Sequence, residues 1–308
     1  MRLFRLCLAA ATALLAACAG ETSTPALDAH ASNASRASLG AALPSYIRKI
    51  YITNDFNGTL TTYNASDGSQ TTPTLSGLSE PAGVAVDQAG KIYIASISNN
   101  NVTTYDQSGE QTTPTLTAGI AAPFGVAVDA RGKIYVANNS GDTVTTYLPG
   151  GTQTTPTISL PSNSFPRGVT TDALGNIYVA LTSPAEVRKY TPAGVQTAPT
   201  ISGLADFPVG IAVDGSGNIY ITVHNGTMLT YTAAGVPTTP TITGLSVPYL
   251  LALEPSLGRL YIPNLGNGTM NAFQTNGTAS VPNITGLQGP VGVAVLDTFP
   301  RCTAGMRC

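Results

Sequence analysis

The chain has 308 residues, only 10% of them charged, and a formal net charge of −2. So weak and mixed a charge steers no polyanion, which removes nucleic acid from the expected partners. Its two histidines, His30 and His224, are too few for a histidine zinc cluster, and no H-E-x-x-H, G-x-S-x-G or phosphate-cradling glycine loop occurs.

At the N-terminus, Met1-Arg2-Leu3-Phe4-Arg5 precedes an apolar run from Leu6 to Ala17, and Cys18 follows. A basic start and an apolar segment this short predict a secretory signal over residues 1–17, not a membrane-spanning helix. Residues 18–45 are rich in Ala, Ser and Thr without apolar periodicity and predict a flexible tether. The stretch Leu15-Ala16-Ala17-Cys18 resembles the lipobox of bacterial lipoprotein signal peptides. That resemblance implies cleavage before Cys18, acylation of the new terminus and anchoring in the bacterial cell envelope. Ala19 after the cysteine implies the outer membrane, on its periplasmic or surface face. Several acyl chains anchor stably where one is marginal. Cys302 and Cys308 lie in a predicted tail, residues 298–308, where they either form a disulfide or stay free thiols.

Between tether and tail, residues 46–297 repeat. Aligned on one proline per unit, Pro81, Pro123, Pro166, Pro208, Pro248 and Pro290 are spaced 42, 43, 42, 40 and 42 residues apart. A period in this range marks a solenoid, propeller or array. Residues 123–147 serve as the type unit. Gly125 to Asp129 is small and apolar at nearly every position, which predicts a strand buried on both faces and therefore innermost. The turn from Asp129 to Gly132, repeated at Asp87, Asp172 and Asp214, has Asp first and Gly fourth, so these aspartates cap turns instead of forming a catalytic set. A second strand carries Tyr51, Tyr93, Tyr135, Tyr178, Tyr220 or Tyr261, and a third ends in Tyr63, Tyr105, Tyr147, Tyr190, Tyr231 or Phe273. An aromatic at one position per repeat predicts packing between units. The fourth strand always holds a proline (Pro73, Pro114, Pro156, Pro199, Pro240, Pro282), which confines it to a sheet edge.

Four antiparallel strands per unit predict an all-β fold, a six-bladed β-propeller. The first Tyr-bearing strand has no inner strand before it, and the last inner strand, Val291 to Val295, has no second strand after it. The C-terminal strand therefore completes the N-terminal blade and closes the ring. The unit resembles the NHL repeat in its Pro-x-Gly-hydrophobic-Ala-Val-Asp strand followed by Gly-x-Ile-Tyr-Val-Ala, and Ile134 to Asn138 is similar to the YVTN repeat of surface proteins. Glu254 in the sixth unit and Leu296 in the closing strand depart from the Asp position.

Loops entering the inner strand and loops joining strands two and three share one face, here called the top. The residue after each aligning proline, Ala82, Phe124, Arg167, Val209, Tyr249 or Val291, is placed at the mouth of the central channel. Aromatics that packing between blades does not require, Phe56, Phe124, Phe165, Phe207 and Tyr249, all fall in top loops beside Arg167 and His224. They predict a binding surface for a protein or glycan, with the chain acting as a monomeric binding or scaffold module without cofactor. The opposing expectation is that they tuck down as loop anchors. An enzymatic alternative comes from resemblance to six-bladed gluconolactonase and regucalcin, which implies a divalent cation (Ca or Mg) at the channel mouth. Asn54, Asp55, Asn138 and Asn264 are the candidate ligands for a lactonase or lyase-like site, with Asp142 further out; calcium would want more charge than these supply. Streptogramin lyase, whose repeats are similar, implies a His and Glu pair, for which Glu80 and Glu186 are the nearest partners to His224.

Overall fold

A computed structural model of the protein describes residues 47–298. Cys18, the signal segment, the tether, Cys302 and Cys308 lie outside the described residues.

In chain order the strands are β1 (Ile47–Asn54), β2 (Thr59–Asn64), β3 (Gln70–Leu75), β4 (Pro81–Val86), β5 (Ile92–Ser96), β6 (Asn101–Tyr105), β7 (Gln111–Leu116) and β8 (Pro123–Val128). There follow β9 (Ile134–Asn138), β10 (Thr143–Tyr147), β11 (Gln153–Ser159), β12 (Pro166–Thr171), β13 (Ile177–Leu181), β14 (Glu186–Tyr190), β15 (Gln196–Ile201) and β16 (Pro208–Val213). The last are β17 (Ile219–Val223), β18 (Thr227–Tyr231), β19 (Pro237–Ile242), β20 (Ala252–Glu254), β21 (Arg259–Asn264), β22 (Thr269–Gln274), β23 (Ala279–Ile284) and β24 (Pro290–Thr298). They form six four-stranded antiparallel sheets, five of them from consecutive strands and one in the order β24-β1-β2-β3. The proline-bearing strand is outermost in every blade, as its missing donor requires. Inner strands of successive blades lie side by side around the channel, with β24 between β20 and β4. The ring closes on the pairing of Ile47 with Thr298 through Asn54 with Pro290.

Each interface between blades carries its own apolar core. The second-strand tyrosine of one blade enters the core shared with the next: Tyr51 packs with Val84 and Ile92, Tyr93 with Val126 and Ile134, and Tyr261 with Ile50 and Ile52. The third-strand aromatics face the preceding blade, Tyr147 beside Tyr93 and Tyr190 beside Tyr135. Inner strands approach so closely that a Cβ on Gly125 would stand 2.2 Å from the Arg167 carbonyl, and one on Gly292 2.3 Å from that of Ala82. Blade six has Leu250 where the other five inner strands have glycine. Leucine cannot enter that space, so β20 starts only at Ala252, and Pro248 makes an isolated bridge to Asn264.

The turn aspartates do what their position predicts. Asp87 Oδ1 accepts the N–H groups of Ala89 and Lys91, and Gly90 closes the turn on the Asp87 carbonyl at φ +84. The other oxygen has a role the repeat pattern did not announce: Oδ2 accepts the second-strand tyrosine hydroxyl, Tyr93 at 3.3 Å, Tyr135 at 3.2 Å, Tyr178 at 3.1 Å and Tyr220 at 3.0 Å. In blade one the aspartate is replaced by Leu296, and Tyr51, with the same ring fully buried, has no acceptor for its hydroxyl among the described residues. Burial pushes that hydroxyl up to about 12. An unsatisfied buried donor costs about 1–3 kcal/mol. Tyr51→Phe is therefore expected to raise unfolding stability by about 1 kcal/mol, while Tyr93→Phe lowers it by about the same amount. Urea titration of both variants checks this; equal losses would mean that the Tyr51 hydroxyl has found a partner.

Candidate binding site at the channel mouth

Short backbone hydrogen bonds hold the top loops together in pairs. Asp55 N donates to Gly289 O, Ile97 N to Glu80 O, Asn139 N to Ala122 O, His224 N to Phe207 O and Leu265 N to Val247 O. Each joins a loop after the second strand to the segment entering the inner strand, so both loop sets share a face. The residue before the aligning proline adopts positive φ in five of the six units, at Gly289 (69) and also at the non-glycine residues Glu80 (44), Ala122 (44), Phe165 (45) and Val247 (51), with Phe207 the exception. For Phe165 and Val247 this is a strained conformation that the surrounding loops must hold.

The residues after the prolines converge. Ala82, Phe124, Val209 and Val291 form one buried cluster, with Phe207, Tyr249, Ile97 and Leu265 packed against it. Arg167 sits in its midst, the guanidinium carbon 4.9 Å from the centroid of Phe207, 5.2 Å from Phe124 and 5.8 Å from Tyr249. Its Nε and Nη1 are buried without a hydrogen-bond partner, and the ring faces stand where acceptors would. Phe124 and Tyr249 stack at 6.0 Å, and His224 stacks on Phe207 at 4.4 Å with its Nδ1 3.6 Å from the Asp206 carboxylate.

This placement divides the aromatic set. Phe124, expected at a binding surface, is 8% exposed and, with Phe207 and Tyr249, plugs the mouth around Arg167. A plug of this kind forms because small inner-strand residues leave room at the mouth that only large side chains fill. Phe56 (70% exposed) and Phe165 (41% exposed) stand out from it. Beside the plug is a cavity of about 280 Å³, walled by Phe56, Ile97, Phe124, Tyr249, Leu265 and Val291, with Asp55 and Glu80 its charged lining residues.

The candidate metal ligands are not brought together. Asn54, Asn138 and Asn264 end the second strands of three different blades and are buried in them. Asn138 Nδ2 donates to Thr143 and Thr145 and its Oδ1 accepts from Ala121 N; Asn264 Nδ2 donates to Thr269 and Asn271 and its Oδ1 accepts from Ser246 N. Asn54 Nδ2 donates to Thr59 and Thr61, while among the described residues its Oδ1 is buried without a hydrogen-bond partner and no second ligand stands beside it among the asparagines. Asp142 is occupied too, accepting the N–H groups of Asn163, Ser164 and Phe165. These residues brace blades and loops, and they do not fit a shared divalent cation. Glu186 pairs with Arg188 on β14, so the acid beside His224 is Asp206, which the repeat alignment did not single out.

No protein-family model matches the chain, and no curated protein matches it in sequence. Solved structures do match. A chain from the crystal structure of a nidogen/laminin complex has 16% identity and a TM-score of 0.67, over 81% of this chain and 98% of that one. A protein of unknown function from Bacteroides caccae has 14% identity and a TM-score of 0.67 over the same shares. Virginiamycin B lyase from Staphylococcus aureus has 15% identity and a TM-score of 0.58, over 77% of this chain and 80% of that one. At such identities the likeness is one of fold.

Proposed function

We propose that this six-bladed propeller is a binding module of the bacterial cell envelope, anchored through lipidated Cys18 and taking a protein or glycan partner on its top face. The NHL-type repeat supplies a rigid ring, and function resides in loops that differ from blade to blade. The observation that carries the reading is the juxtaposition on one face of a plugged channel mouth, a side cavity and the exposed rings of Phe56 and Phe165. Exposed aromatics beside a rigid, strained rim are suited to act as anchors, because little side-chain freedom is lost when they dock.

The double variant Phe56→Ser/Phe165→Ser is expected to keep the wild-type Tm, since neither ring is part of a core. Capture of its partner from cell-envelope extract should fall about 30-fold, the equivalent of losing one aromatic hot spot. Unchanged capture would refute the top-face assignment. The metal-dependent lactonase or lyase alternative would require Asn138 and Asn264 to give up the hydrogen bonds their Oδ1 atoms accept, and a rise in Tm with millimolar calcium or magnesium is the observation that would favour it.

A further inference from the structure

The cavity beside the plug has a chemical character of its own. Asp55 reaches it from the β1–β2 loop of blade one, and Glu80 from the segment entering β4 of blade two. Glu80 Oε2 accepts the Ser98 hydroxyl, whereas the Asp55 carboxylate accepts no hydrogen bond and joins no ion pair among the described residues. The lining includes no lysine, arginine or histidine to neutralise the pair. Burial first, and the Glu80 charge second, raise the Asp55 carboxyl above its ordinary value. Arg167 stacks on Phe124 and Tyr249, two rings that also wall the cavity, but is not itself part of the lining.

A hollow with aromatic and aliphatic walls and two carboxylates, one without a partner, is complementary to a cation that is itself partly apolar. A small divalent metal is a poor match, because it wants six or more oxygen ligands and the remaining walls offer carbon. Among the described residues no group of three His, Cys, Asp or Glu comes together. An ammonium on a hydrocarbon stem uses what is present: charge-assisted hydrogen bonds to the carboxylates and apolar walls for the methylenes. Its arrival would also relieve the repulsion between Asp55 and Glu80. Building on the binding-module reading above, we propose that this cavity is the specificity pocket of the top face and receives a primary ammonium on an apolar stem, as presented by a lysine side chain of a partner protein.

The test is calorimetric titration of the detergent-solubilised full-length protein with Nα-acetyl-lysine methylamide, and with the norleucine derivative as the uncharged control. Wild type should bind the lysine derivative saturably, and the Asp55→Asn/Glu80→Gln variant, at matched Tm, should bind it at least ~10-fold more weakly. The norleucine derivative should bind neither protein measurably. Equal affinity of wild type and variant for the lysine derivative, or equal binding of the two derivatives by wild type, overturns the proposal. Partner capture that still depends on Phe56 and Phe165, while the lysine derivative goes unbound, overturns the ammonium pocket and leaves the binding-module reading standing.

Discussion

Replacing Glu254 by glutamine is expected to cost about 3–5 kcal/mol of stability, a fall in Tm of about 6–20 °C in a ring of this size. Glu254 is fully buried, its Oε1 2.9 Å from Arg48 Nη1 and its Oε2 3.8 Å from Arg259 Nη1. Tyr261 donates its hydroxyl to the same Oε2 at 2.6 Å. Arg48 belongs to β1 and Glu254 to β20, so this network ties blade six to blade one at the point where the chain's two ends meet. The extra methylene matters: in blades two to five an aspartate caps the turn and accepts one tyrosine, whereas glutamate reaches far enough to accept Arg48 as well and to stand at ion-pair distance from Arg259. Glutamine keeps the shape but withdraws from two partly buried guanidinium groups the charge of a fully buried carboxylate. Glu254→Asp should fall between the two, keeping an acceptor for Tyr261 and losing Arg48. Urea denaturation of the three proteins checks the order, and a cost below about 1 kcal/mol for glutamine would show the network to be screened as a surface pair is.

The repeat made the architecture readable because propeller construction is local and redundant. Each blade restates the same strand order, so one obligatory proline or one missing GVAV strand could be checked against five other copies. Side-chain direction at strand ends is not redundant in that way. Asn54, Asn138 and Asn264 end their second strands, yet whether the amide turns toward the channel or back onto polar side chains of the third strand depends on strand parity and twist, which no spacing reveals. The plug is half legible: Phe124, Arg167 and Tyr249 follow the aligning prolines and so fall at the channel mouth, but their mutual packing follows from six loops meeting at one axis. Leu250 carries a signal of its own. At the one position where five units have glycine, a leucine predicts that the inner strand of blade six cannot pack like the rest, and β20 is shortened as a result. Asp55 and Glu80 come from different blades, so their proximity appears only once blades one and two pack side by side.

Deleting residues 290–308 is expected to abolish cooperative folding of the six-bladed ring. The segment supplies β24, the inner strand of blade one, and its loss removes every partner of β1 on one side from Ile47 to Asn54. Ile50, Tyr51 and Ile52, each fully buried, would lie on a three-stranded sheet with an open edge. The deletion also removes Val293 from the core shared with blade six and Ala294 and Leu296 from the core shared with blade two, so two of the six interfaces fail together. Each interface core is small, and a propeller's stability rests on all of them closing at once. An unpaired inner edge is also a template for association with a second chain. A circular permutant separates loss of the strand from loss of its position. Joining residue 298 to residue 47 through a short hairpin loop, and opening the chain between Gly286 and Pro290, retains all 24 strands because Ile47 and Thr298 already sit opposite one another. That permutant should unfold in one cooperative transition near the wild-type midpoint, whereas the deletion variant should show a broad or absent transition by circular dichroism and calorimetry. Full cooperativity in the deletion variant would overturn closure by β24 as the device that holds the ring.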